Sequence, residues 1–83
     1  MSIHAKQWLS KELERGVMLK VVKNGVRIYT AKLLEAGCYE LYSDYGYHYG
    51  LELEEALTGF LEDIKRAFLV DEDGAIEMVQ VTQ

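Results

Sequence analysis

At 83 residues the chain has room for one small core, and a domain of this size buries only about 60–65% of its unfolded surface. A composition of 49% hydrophobic and 28% charged residues lies in the globular range and excludes a disordered chain, and a single cysteine excludes both an internal disulfide and a paired-cysteine metal site. The net charge of −5 hides a sorting along the chain: residues 1–32 carry seven Lys/Arg against Glu12 and Glu14, while residues 33–83 carry Lys65 and Arg66 against twelve Asp/Glu, a balance of +5 against −10.

No proline, linker or internal repeat divides the sequence, so residues 1–83 are read as a single α+β domain. No run approaches the ~18 apolar residues of a membrane span, and no leader pattern opens the chain. Together with the lone Cys38 this leads to the expectation of a cytoplasmic protein.

Residues 2–15 place Ile3, Trp8, Leu9 and Leu13 near one helical face, with Ser2 able to cap the start and Gly16 to end it. Residues 17–23 and 26–34 are rich in Val, Ile, Leu and Tyr and flank Asn24-Gly25, the dipeptide that tolerates positive φ at both centres of a tight hairpin turn. A two-residue turn would set Val21 opposite Ile28 and Leu19 opposite Thr30 on one face, with Lys20 opposite Tyr29 and Val22 opposite Arg27 on the other. From Tyr39 to Leu53 every odd position except Ser43 is Tyr or Leu, which predicts a strand at 38–43, a turn through Gly46 and a shorter strand near 47–50. The period then changes: Leu53, Leu57, Phe60, Leu61, Ile64 and Phe68 recur at helical spacing, with Glu54, Glu55, Glu62, Asp63, Lys65 and Arg66 on the other side. Gly59 inside this helix costs about 1 kcal/mol relative to Ala, which implies a close neighbour or a bend. Asp71-Glu72-Asp73-Gly74 reads as a turn and 75–81 as a final edge strand.

The predicted order is α-β-β-β(β)-α-β, an antiparallel sheet of 3–5 strands with two helices on one face and the other face open. The same order resembles that of double-stranded-RNA-binding domains. Such domains hold phosphates with a Lys cluster at the start of the second helix, where this chain has Leu51-Glu52-Leu53-Glu54-Glu55-Ala56, so the resemblance is one of element order and implies no RNA function.

Five of the six tyrosines, Tyr39, Tyr42, Tyr45, Tyr47 and Tyr49, fall within eleven residues beside Glu40, Asp44 and His48. Tyrosine gives large contact area at low entropic cost and is enriched where proteins bind one another, although aromatics also fill sheets. The carboxylates downstream are too many to be buried, so they dress the surface, where they keep a small protein dispersed or imitate nucleic-acid phosphates. Phosphate-cradling and nucleophile motifs are absent, the acidic 71–74 run lacks carboxylates at the ends of a calcium loop, and a Cys38/His48 pair would have to meet across a hairpin.

The sequence therefore predicts a non-catalytic macromolecule-binding protein without cofactor or metal, an inhibitor or adaptor, virus-encoded inhibitors of host nucleic-acid machinery among the origins considered. It would dock Glu40, Tyr42, Asp44, Tyr45, Tyr47, Tyr49, Glu52, Glu54, Glu55, Glu62 and Asp63 on a basic, nucleic-acid-binding partner protein, as a monomer or homodimer. The alternatives are a nucleic-acid-binding hairpin using Lys20, Lys23, Arg27 and Tyr29, and a self-associating structural domain.

Overall fold

A computed structural model describes residues 3–25 and 27–82. The elements are α1 (Ile3–Glu14), β1 (Met18–Lys23), β2 (Arg27–Glu35), β3 (Cys38–Ser43), β4 (Gly46–Leu51), α2 (Leu53–Phe68), α3 (Glu72–Met78) and β5 (Gln80–Thr82). The strands form one antiparallel sheet in the order β4-β3-β2-β1-β5. Short connections make β1 to β4 a meander, and β5 returns to the free side of β1. No described helix is long and apolar enough to cross a membrane.

Side chains alternate across a strand, so each strand offers one face to the helices. On the inner face Leu19 and Val21 of β1, Tyr29 and Ala31 of β2, and Tyr39 and Leu41 of β3 are buried against Leu9 and Leu13 of α1, Leu57, Phe60, Leu61 and Ile64 of α2, and Ala75 of α3. The strongly amphipathic α2 lies over the middle of the sheet. A capping box starts it: the Glu52 side chain accepts the Glu55 backbone N–H, and Glu55 Oε1 accepts the Glu52 backbone N–H at 2.9 Å. Gly59 answers the question its position raises. A Cβ there would come within 2.9 Å of Leu41 Cδ2, so the missing side chain lets α2 settle onto β3.

The structure corrects several expectations. Asn24 and Gly25 do adopt positive φ, 57° and 67°, but Lys23 pairs with Arg27, so the connection is one residue longer than a two-residue turn; Val26 itself lies outside the described residues. Val21 consequently faces Tyr29, Leu19 faces Ala31 and Lys20 faces Thr30. Parity explains the shift. Directly opposed residues share a face, and the core needs the odd residues of β1 and of β2 together, which only a connection of odd length allows.

Residues 72–78 are a third helix, and the last strand is limited to Gln80–Thr82, although it is an edge strand as expected. The Asp71 side chain accepts the Gly74 N–H at 2.8 Å, an N-cap, and Glu72 and Asp73 favour the positive end of the helix dipole. Trp8 is turned outwards and half-exposed, leaving Leu9 and Leu13 as the buried stripe of α1. The proposed cap Ser2 and the Ile3 side chain lie outside what is described. Asp63, expected on the solvated side of α2, is buried.

Candidate functional site

The helices cover the inner face of the sheet and leave the other bare. Tyr42 lies between the buried Leu41 and Ser43 in β3 and so points away from the helices, 50% exposed. Tyr47 in β4 is its cross-strand partner, and Tyr49 joins it beyond, the Tyr47 and Tyr49 rings standing 5.9 Å apart. Strand β2 adds apolar groups: Ile28 and Leu34, each about half exposed, stand beside the buried Tyr29 and the inner Leu33. These side chains surround a polar centre. Lys32 and Glu40 are cross-strand partners, their charged atoms 3.7 Å apart, and the Tyr47 hydroxyl donates to Glu40 Oε1 at 2.7 Å. That carboxylate acceptor holds the Tyr47 phenol above its ordinary pKa of 10.0. Thr30, opposite Tyr42, and Lys20, opposite Thr30, continue the row towards β5.

The surface predicted from sequence is thereby divided by the sheet. Glu40, Tyr42, Tyr47 and Tyr49 come together on the outer face. Tyr45 does not join them: it stacks beneath Arg66 of α2, the guanidinium carbon 4.3 Å from its ring centre, and its backbone N–H donates to Ser43 Oγ. Asp44 accepts the hydroxyl of buried Tyr29 at 3.1 Å. Glu52 and Glu55 serve as helix caps, and Glu54 borders a shallow depression with Lys6, Gln7, Ser10 and Leu57 on the helical side. Glu62 pairs with Lys65 at 2.9 Å, which lowers the Glu62 pKa and raises that of Lys65. Asp63 is held inside by the Ser43 hydroxyl at 2.6 Å.

The basic alternative is divided as well. Lys20 lies on the outer face, whereas Lys23 shares the inner parity of Val21 and places its ammonium 4.9 Å over the Phe68 ring of α2. Tyr29, which was to stack on bases, is fully buried. The one-residue change in register moved it there.

Ser43 and Asp63 are a hydroxyl and a carboxylate in contact, but the hydroxyl donates to Asp63 while accepting from Tyr45, and no histidine joins them among the described contacts. Cys38 has the parity of Glu40 and faces outwards; His48, opposite Leu41, lies on the inner side, so the sheet separates the two. Ile28 and Leu34 are not among the contact residues expected from the sequence. Their signal was the even-numbered alternation of β2, which becomes legible only once the odd residues are assigned to the core.

No family model, curated protein or solved structure matches the chain.

Proposed function

We propose that this chain is a non-catalytic protein-binding domain that docks through the uncovered face of its sheet. One observation carries the reading: Tyr42, Tyr47, Tyr49, Ile28 and Leu34 remain about half exposed or more on a single face, around a Lys32–Glu40 pair that neutralises its own charge. Scattered apolar residues are ordinary on a surface, but a contiguous aromatic group with a satisfied polar centre has the make-up of a contact surface. Most of the carboxylates lie outside this face. Their part is the long-range field that favours a partner with basic surroundings, such as a nucleic-acid-binding protein that an inhibitor or adaptor would engage. Contact and steering therefore fall to different sides of the molecule.

A second reading, single-stranded nucleic acid stacked on the same tyrosines, is favoured by Lys20 in the row of Thr30 and Tyr42. The two readings separate in one experiment. Immobilised wild type is compared with Tyr42→Glu, with the triple variant Glu54→Gln, Glu55→Gln, Glu62→Gln, and with a Trp8→Ala control, for capture of protein and of labelled oligonucleotide. Protein docking predicts capture that Tyr42→Glu abolishes, that the acidic variant slows in onset, and that Trp8→Ala leaves unchanged. Equal capture by wild type and Tyr42→Glu would overturn it. Oligonucleotide capture that falls steeply with salt would install the second reading.

A further inference from the structure

We infer that the occupant of the open sheet face is a second copy of this chain, packed sheet against sheet about a two-fold axis. The inference rests on the docking reading of the same face but not on acidic steering: a second copy would occupy the face in place of a basic partner and compete with it.

Charge selects the geometry. In a molecule of net charge −5, the outer sheet face carries Lys20 and Lys32 with Glu40 and with Glu35, the partner of the outward-facing Cys38, while Glu54, Glu55, Glu62, Glu72 and Glu77 are exposed on the helices. Two copies meeting helix layer to helix layer would crowd like charges. Meeting sheet to sheet, they place the acidic layers at the far ends and bring near-neutral surfaces together. Lys32 is half exposed on the same face as the tyrosines, so a face-to-face pairing can set its ammonium over a tyrosine ring of the other copy. The chain already uses that contact internally, in Arg66 over Tyr45 at 4.3 Å and Lys23 over Phe68 at 4.9 Å.

Size agrees. Five strands spaced ~4.8 Å apart, with about six residues of ~3.3 Å each, give a projected area of roughly 480 Å². Half-exposed Tyr, Ile and Leu side chains standing on that plane raise its accessible area towards the ~800 Å² that each partner of a stable complex buries. Stacked sheets lie ~10 Å apart, a gap that interdigitating aromatic side chains from both copies fill.

Sedimentation velocity over roughly 1–300 µM, a span that covers the affinities expected of small interfaces, tests the inference. The wild type is expected to pass from one to two copies as concentration rises. Tyr42→Glu raises the dissociation constant about 30-fold or more, whereas Trp8→Ala, on the helical side, leaves it unchanged. High salt screens the repulsion between the acidic layers, so the dimer persists or tightens; a head-to-tail dimer built on charge would instead dissociate. Circular dichroism of each variant establishes that it is folded. A wild type that stays monomeric throughout, or a dimer indifferent to Tyr42→Glu, overturns the inference. Monomer together with Tyr42-sensitive capture of another protein removes only the second copy. Monomer together with Tyr42-insensitive capture removes the docking reading too.

Discussion

Tyrosine occupies both faces of one sheet here, under opposite physical demands. Tyr29 on the inner face is fully buried, its ring 5.5 Å from that of Phe68 and its hydroxyl on Asp44. Tyr42 on the outer face, in the neighbouring strand and opposite Thr30, is half exposed. The inner tyrosine is held by packing and by a partner for its hydroxyl, as a buried phenol requires. The outer one lies on the face that the described helices leave uncovered, and half of its area stays open to solvent. Residue type alone does not separate core from exposed face; strand parity does.

The largest expected effect tests that contrast directly. Tyr29→Ala should cost about 3–5 kcal/mol in a urea titration, the range for removing a buried aromatic ring, and Tyr42→Ala less than ~0.5 kcal/mol when measured on the monomer. Similar losses at the two positions would mean that the faces are not distinct.

The polar pairs sharpen the same contrast at smaller scale. Ser43→Ala removes the donor from the buried Asp63 carboxylate and should cost about 1–3 kcal/mol, whereas Lys32→Ala, which breaks the partly exposed pair with Glu40, should cost ~0–1 kcal/mol. If Ser43→Ala is neutral in thermal unfolding, the Asp63 carboxylate is not desolvated as its burial implies.

The smallest effect lies in alkaline solution. Burial, then the Glu14 charge, raises the Tyr39 pKa above 10.0; the bond to Glu40 raises that of Tyr47, and the bond to Glu62 raises that of Lys65 above 10.5. In each case the folded pKa exceeds the unfolded one. Folding therefore favours the protonated form, and the contribution is fully present below about pH 10 and is lost as pH rises through the folded values. Stability followed from pH 8 to 11 should fall at the alkaline end. Tyr39→Phe should reduce that fall, and Tyr47→Phe should change it little because its bond to Glu40 is exposed. A reversed order would place the alkaline transition on the outer face.

Much of the fold was legible. The helical period of Leu57, Phe60, Leu61 and Ile64 marked α2, and the alternation through Tyr39 and Leu41 marked β3, because in each the apolar residues recur at the period of the element with polar residues between them. The hairpin was legible as a hairpin but not in register. In β2 the even residues include the strongly apolar Ile28 and Leu34 beside Thr30 and Lys32, and the odd residues Tyr29, Ala31 and Leu33 include a small one and one with a hydroxyl, so periodicity left the two faces undecided and the core resolved them. The helix α3 was missed because Asp-Glu-Asp-Gly satisfies turn chemistry and N-capping chemistry alike. At the candidate site, clustering in sequence is not clustering in space. Gly46, with φ 131°, reverses the chain between Tyr45 and Tyr47 and sends the one towards Arg66 and the other outwards.

The return of β5 to β1 has a kinetic consequence. Pairing along β1 to β4 closes only short loops, whereas Met18 meets Thr82 from the far end of the chain, so this contact carries the largest loop-closure cost of any strand pairing in the sheet. Folding is then expected to zip the meander and seat α2 first, with β5 arriving last and leaving first. In amide exchange its three residues should open well before β2 and β3, giving this side of the sheet a seam that breathes while the centre stays shut.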